Sequence, residues 1–219
     1  NAPAIPANAY GAQSRPVPPP QGRPARVGER TQELPLSSTH TVRGEATAVR
    51  TWYVDAGGDD AQTCASPVAA CATIAAAMAQ AGSGDTIRVA TGRYTGVGNE
   101  VVAFDREVTL SGGWNARFSW QDGYSVIDGE LERWGITVRS SGGAVIERFA
   151  IEHGEPGNVR NFGSLTLRRC AVRDTPGRGV DALAGETVLH GSTITGSEHY
   201  AIVSRGTLSI DNSTISGNL

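Results

Sequence analysis

The sequence contains no lysine, and all 19 basic residues are arginine. The absence of lysine excludes Schiff-base chemistry and a lysine general base. Charges nearly balance, with a net charge of −3 and an isoelectric point of about 5.8, so composition does not indicate binding to nucleic acid. No segment approaches the roughly 20 consecutive apolar residues of a membrane span. We therefore expect neither a nucleic-acid partner nor a membrane-spanning helix.

Cysteine is scarce, with three residues in the chain, Cys64, Cys71 and Cys170. Cys64 and Cys71 are close in sequence and lack the nearby His or further Cys that a zinc site needs, which favours a disulfide over two free thiols. A disulfide indicates an oxidising compartment, so we expect an exported protein, extracellular or at the cell surface. Cys170 is then left unpaired, and we expect it to be buried as a small hydrophobic residue.

Apolar residues recur with a period of 21 or 22 residues in the second half of the chain. Such a period indicates a solenoid. The columns are Ile146, Leu167, Leu189 and Ile210; Ile151, Val172, Ile194 and Ile215; and Val138, Val159, Val180 and Ile202.

Each repeat contains short runs of alternating apolar and polar residues, which are typical of strands, separated by glycines that permit tight corners. A repeat of this length has no room for a helix besides its strands. We therefore predict an all-β fold, a right-handed parallel β-helix over residues 51–219. The column residues and Leu208 should be buried, and Phe149, Cys170, Ser192 and Ser213 should stack in a further column.

The N-terminal part of the chain differs from the repeats in composition. Residues 1–50 hold most of the 11 prolines and predict an extended Pro-rich arm, which is either a spacer or a segment that lies along a partner. Residues 39–54 are strand-like, and residues 86–90 predict the first clear strand. The alanine-rich segment 72–81, with Ile74 and Met78 four apart and Gly82 after it, predicts a short helix that caps the first coil.

Several segments resemble the N-terminal cap, first coils and repeat signature of bacterial secreted and surface proteins with right-handed parallel β-helix repeats, the pectate-lyase-like superfamily. They are residues 53–55, Cys64, 71–74, 84–94, 108–114, 126–129 and 212–218. The resemblance extends from about Trp52 to Leu219. It implies the fold, export and a cell-surface or extracellular setting, but no particular reaction, because one fold serves many functions.

Two sets of residues are candidates for a binding site. Asp55, Asp59 and Asp60 could hold calcium through oxygen ligands, although turns use the same residues and the spacing matches no EF-hand. Aromatic residues cluster between residues 113 and 134, where they either stack on sugar rings or pack a loop against the solenoid wall. The candidates for carbohydrate contact are Trp114, Trp120, Tyr124 and Trp134.

Enzymes of the pectate-lyase and polygalacturonase type share this architecture and need clustered acidic residues on neighbouring coils. The period places Asp211 in the column of His190, Arg168 and Glu147, and Asp181 between Arg160 and Val203. These columns contain no carboxylate pair, so we expect no catalytic residue and no cofactor, with calcium as the one alternative.

The sequence ends at Leu219 on a repeat signature, without a helix or charge cluster that would cover the last coil. We expect this open coil to be covered by further coils or by another molecule, since unpaired strands invite association. The N-terminal arm of a second copy could pair there and build a head-to-tail fibre or surface layer. The favoured function is therefore a non-catalytic structural or adhesive role with self-association. The alternative is a carbohydrate-binding or polysaccharide-active protein.

Overall fold

The computed structural model describes residues 48–219; residues 1–47, with nearly all of the predicted arm, lie outside the described residues. The described chain is a parallel β-solenoid of about six turns with one short α-helix, α1 (Ile74–Gln80), and one 3-10 turn (Pro67–Ala69). Its strands are β1 (Thr51–Val54), β2 (Thr86–Ala90), β3 (Gly92–Tyr94), β4 (Glu100–Phe104), β5 (Glu107–Trp114), β6 (Ser125–Asp128), β7 (Trp134–Val138), β8 (Gly143–Glu147), β9 (Phe149–Glu152), β10 (Gly157–Asn161), β11 (Ser164–Arg168), β12 (Ala171–Thr175), β13 (Arg178–Ala182), β14 (Glu186–His190), β15 (Thr193–Ser197), β16 (Ile202–Ser204), β17 (Thr207–Asp211) and β18 (Thr214–Ile215).

The strands form three parallel sheets that run along the solenoid. Sheet A has the order β1-β2-β5-β8-β11-β14-β17, sheet B has β3-β6-β9-β12-β15-β18, and sheet C has β4-β7-β10-β13-β16. Successive strands from β2 onward enter sheets A, B and C in turn, so each complete coil contributes one strand to each sheet. This arrangement confirms the predicted all-β solenoid.

The interior is filled by apolar side chains stacked in register. In sheet A, Leu167 pairs with Ile146 and Leu189, and all three are fully buried. Leu189 also pairs with Ile210. In sheet B, the column of Ile151, Val172, Ile194 and Ile215 pairs in the same way. The predicted pairing of both columns is thus confirmed. The third column is wrong at its first member, because Val138 pairs with Asn161 rather than with Val159. That coil is two residues longer than the period predicts, and a shift of two leaves Val138 facing inward and buried.

The apolar side chains of the last coil are less buried than those of the preceding coils. Ile210 and Ile215, predicted to be buried, are 44% and 43% exposed, and Ile202 and Leu208 are half-buried. They lie on β16, β17 and β18, each of which pairs with a single strand within residues 48–219. No neighbouring coil of the described chain covers these side chains, and the prediction of burial is wrong for Ile210 and Ile215 for that reason.

The corner between sheets A and B has a left-handed backbone in four successive coils. One residue per coil has a positive φ there, namely Arg148, Arg169, Gly191 and Asn212. The residue that follows each of them belongs to the predicted column of Phe149, Cys170, Ser192 and Ser213. Hydroxyl groups tie this column together: Ser192 Oγ accepts the Cys170 N–H at 3.1 Å, and Ser213 Oγ accepts the Ser192 N–H at 3.0 Å. The two serine corners thereby each satisfy a backbone donor of the preceding coil.

The predicted helix forms at the N-terminal end of the solenoid. Thr73 caps it by accepting the Ala76 N–H at 3.1 Å, and Ile74 and Met78 are buried in the core. The strand that pairs with β2 begins at Thr51, so residues 48–50 of the predicted strand-like stretch are not part of it, and residues 39–47 of that stretch lie outside the described residues. In the part of the chain that the structure describes, no helix has both the length and the apolar character needed to cross a membrane.

Candidate functional site

Four charged residues and a histidine lie together on the outer face of sheet B. Ile127, Ile151 and Val172 fill the interior, and the residue after each faces outward because side chains alternate along a strand. Those residues are Asp128, Glu152 and Arg173, which pair in register from β6 to β12. Together with Arg93 of β3 and with His153, they form what we call the arginine–carboxylate cluster.

The two carboxylates are buried, with Asp128 7% and Glu152 3% exposed. Arg93 bridges them, since Nη1 binds Asp128 and Nη2 lies 2.7 Å from Glu152 Oε1. Arg173 binds the other oxygen of Glu152, with Nη2 at 2.7 Å and Nε at 2.8 Å. His153 Nδ1 lies 3.1 Å from Asp128 Oδ1. Each carboxylate is therefore held by at least one guanidinium.

Asp128 is held in its ionised form. Burial alone would raise the pKa of this carboxyl, but the hydrogen bonds from the Glu130 backbone, Arg93 and His153 outweigh it and place the pKa below its ordinary value. An ionised carboxylate cannot serve as a general acid. Asp128 thus has the charge of an ion-pair partner or of a proton acceptor, and not that of a general acid.

The same cluster contains the one group of potential metal ligands found in residues 48–219. Ligand atoms of Asp128, Glu152 and His153 lie within 4.8 Å of one another. However, Arg93 and Arg173 already neutralise both carboxylates, and a cation there would face two guanidinium groups. The donor set does not fit a metal ion while these arginines are in place.

Sequence reasoning missed this cluster. Asp128 and Glu152 are 24 residues apart, because the turns on both sides of β7 (residues 129–133 and 139–142) are longer than those on both sides of β10 (residues 153–156 and 162–163), and the period of 21 or 22 does not align them. A signal was present, since an acidic residue follows the isoleucine both in residues 126–128 and in residues 150–152.

The predicted neighbours of Asp211 and Asp181 are confirmed. Asp211 pairs with His190, which continues the row of Glu147 and Arg168, and Asp181 pairs with Arg160 and Val203.

The three calcium candidates hold separate parts of the first turn. Asp55 Oδ1 accepts the Gly57 N–H, and Asp59 Oδ1 accepts the Ala61 N–H. Asp60 accepts the N–H groups of residues 72 and 73 and the Thr73 hydroxyl. These are turn-forming and helix-capping contacts. The three carboxylates do not converge on one point within 4.8 Å, and calcium binding there stays a prediction.

The four aromatic candidates have different surroundings. Trp114 is half-buried, with the Arg88 guanidinium 4.3 Å from its ring centre. Trp120 and Tyr124 are 57% and 49% exposed on the loop between β5 and β6. Trp134 is 7% exposed on sheet C, under Arg160, whose guanidinium lies 4.9 Å from the ring centre. Trp134 is thus a packing residue, whereas Trp120 and Tyr124 present accessible rings.

The cysteines are arranged as the sequence predicted. The sulfur atoms of Cys64 and Cys71 are at bonding distance, and this bridge closes the turn before α1. Cys170 is unpaired and buried, and its Sγ lies 3.4 Å from the carbonyl oxygens of Ile146 and Arg168. Burial raises the pKa of Cys170 to about 12, so this thiol is unreactive at neutral pH.

Comparison of the chain with protein-family models, with curated proteins and with solved structures found no match.

Proposed function

We propose that this chain is a non-catalytic structural or adhesive β-solenoid of an exported protein, which associates end to end. One observation carries the proposal. The strands of the last described coil pair on one side, and apolar side chains there, Ile210 and Ile215, are nearly half exposed. Unpaired strands bordered by apolar side chains favour the addition of another strand.

The proposed occupant of this surface is the N-terminal segment of a second copy. A head-to-tail contact of that kind does not close on itself, and it therefore extends into a fibre or a surface layer. The disulfide between Cys64 and Cys71 supports export. The resemblance to bacterial secreted β-helix proteins of the pectate-lyase-like superfamily supports the same setting.

Truncation and substitution test the assembly. We expect the intact chain to form filaments in electron microscopy and to elute with a high mass in light scattering. A chain that begins at residue 48 should be folded and monomeric, and it keeps the Arg50 N–H that binds Asp85. Ile215→Asp should also abolish assembly, whereas Val97→Asp, at a site between β3 and β4 that is 94% exposed, should not.

If the shortened chain assembles as well as the intact one, the arm is a spacer and the proposed contact is wrong. If Ile215→Asp assembles normally, the last coil does not take part.

The second candidate function is cleavage of a polysaccharide by hydrolysis or by elimination, because Asp128 and Glu152 lie on neighbouring coils. The two arginines that neutralise them oppose it. A reducing-sugar assay on polygalacturonate and on neutral polysaccharides distinguishes the candidates. We expect no release by the intact protein, and release that Glu152→Gln abolishes would establish the enzymatic alternative.

A further inference from the structure

The loop of residues 115–124, which we call the aromatic loop, is anchored to the solenoid by a buried ring. Phe118 is 5% exposed and packs with Ala70 and Ala90 in a small apolar cluster separate from the main core. It also meets the Tyr53 ring edge-on, with ring centres 5.0 Å apart. Edge-on aromatic pairs of this kind add to the stabilisation that comes from their buried area. The middle of the loop is therefore fixed to the wall of the first coils.

Hydrogen bonds hold both ends of the aromatic loop. Gln121 Nε2 donates to the Gly112 carbonyl at 2.9 Å and to Ser111 Oγ at 3.0 Å. Asn115 donates its N–H to the Trp120 carbonyl at 3.0 Å and accepts the Ser119 N–H through Oδ1 at 2.8 Å. The backbone on either side of Trp120 is thus tied to the loop and, through Gln121, to β5.

This rigid loop presents two aromatic rings to solvent. Trp120 and Tyr124 are 57% and 49% exposed, although folding usually covers large rings. The Trp120 indole N–H donates to Asp122 Oδ2 at 3.2 Å, a contact that restrains the ring while leaving it accessible. An exposed ring on a fixed backbone loses little conformational entropy on binding, which favours association.

We propose that the aromatic loop is a binding site for a neutral polysaccharide, with Trp120 as the ring that stacks on the apolar face of a pyranose. Tyr124, four residues further along the same loop, offers a second exposed ring, and the Asp122 carboxylate supplies an acceptor for sugar hydroxyls. Asp122 and the exposed Arg117 are the two charged residues of the loop and balance each other, so the loop has no net charge to attract an acidic polymer. This inference depends on the loop alone and is independent of end-to-end association.

The test is a sedimentation assay of the full-length protein with cellulose, chitin and insoluble xylan, with polygalacturonate gel and anionic lipid vesicles as comparisons. We expect retention by at least one neutral polymer. Trp120→Ala should lower the association constant about tenfold, because one stacking partner is lost. Tyr124→Ala should lower it less.

Tyr200→Ala is the matched control, since Tyr200 is also 57% exposed but lies outside the loop, and it should leave retention unchanged. Unchanged thermal unfolding of the Trp120→Ala protein shows that the loop change is local. Absence of retention on all three neutral polymers would overturn the proposal. So would retention that survives both loop variants, or binding confined to polygalacturonate or to vesicles.

Discussion

Trp52 and Asp85, 33 residues apart in the chain, are joined by a 2.8 Å hydrogen bond from the indole N–H to Oδ2. The same oxygen accepts the Gly82 N–H at 2.8 Å, and Oδ1 accepts the Arg50 N–H at 2.8 Å. Asp85 is 5% exposed. One buried carboxylate therefore connects the first strand, the turn after α1 and the start of β2.

Replacing this carboxylate should weaken the N-terminal cap. We expect Asp85→Ala to lower the free energy of unfolding by about 3 kcal/mol, because it leaves three donors without their charged acceptor. Urea denaturation followed by circular dichroism measures the change. Glu198→Ala, an exposed site on another coil, is the control and should change stability by less than about 0.5 kcal/mol. An Asp85→Ala protein as stable as the control would contradict this role.

The stability of the solenoid should fall at low pH. Burial would raise the pKa of Asp85, but the hydrogen bonds from Trp52, Arg50 and Gly82 outweigh it and lower the pKa. A carboxyl with a lowered pKa in the folded state stabilises the fold above its unfolded pKa of about 3.9, and this stabilisation is lost as the pH falls through the folded value. The pKa of Asp128 is also lowered, so the stabilisation that its carboxylate provides is likewise lost as the pH falls.

Urea midpoints measured between neutral pH and about pH 2 should therefore decline below about pH 4. The decline should be shallower for Asp85→Asn, which lacks one of the carboxyl groups with a lowered pKa. Parallel curves for the two proteins would show that Asp85 contributes nothing to the pH dependence.

The repeat in the sequence was sufficient to predict most of the fold. Leu167 and Leu189 occupy equivalent positions in adjacent coils because a stacked sheet requires apolar side chains at equal phase. The exposure of Ile215 was not predictable from its own repeat, which has the same pattern as the buried ones. Burial in a solenoid depends on the neighbouring coil as well as on the residue itself.

The arginine–carboxylate cluster was missed for a related reason. Its members come from coils whose lengths differ, and a constant period cannot align Asp128 with Glu152. Arg93 reaches both carboxylates from a third strand through a long, flexible side chain. The pairing register of strands sets such contacts, and loop lengths set the register.

Two glycines at solenoid corners should differ in how they tolerate alanine. Gly191 has φ +57°, and the nearest atom to an added Cβ is 3.9 Å away, so Gly191→Ala should cost about 1 kcal/mol from backbone strain alone. Gly185 has φ +67°, and a Cβ added there would lie 1.9 Å from the Gly163 carbonyl oxygen of the preceding coil. Gly185→Ala should therefore cost several kcal/mol more, or prevent folding. Thermal unfolding of the two variants measures the difference, and equal losses would argue against the close stacking of this corner.

The last prediction concerns the ion pair between Arg173 and Glu152. Arg173 binds Glu152 through Nε and Nη2, while the buried carboxylate keeps Arg93 on its other oxygen. Removing one of these two guanidinium groups leaves the negative charge of Glu152 partly compensated by the other. We therefore expect Arg173→Ala to cost about 2 kcal/mol, less than the loss of a sole partner in a buried pair.

A double-mutant cycle separates this interaction from the packing of the arginine stem. The single variants Arg173→Ala and Glu152→Gln and their combination should give a coupling free energy of about 1–2 kcal/mol in urea denaturation. The double variant should be more stable than the sum of the two losses predicts. In the Glu152→Gln background residue 152 is uncharged, so Arg173→Ala no longer takes a partner from a charged carboxylate. Arg205→Ala, which removes an exposed arginine outside this cluster, should show no coupling with Glu152→Gln. Strict additivity of Arg173→Ala and Glu152→Gln would mean that the two side chains lie together without stabilising the solenoid.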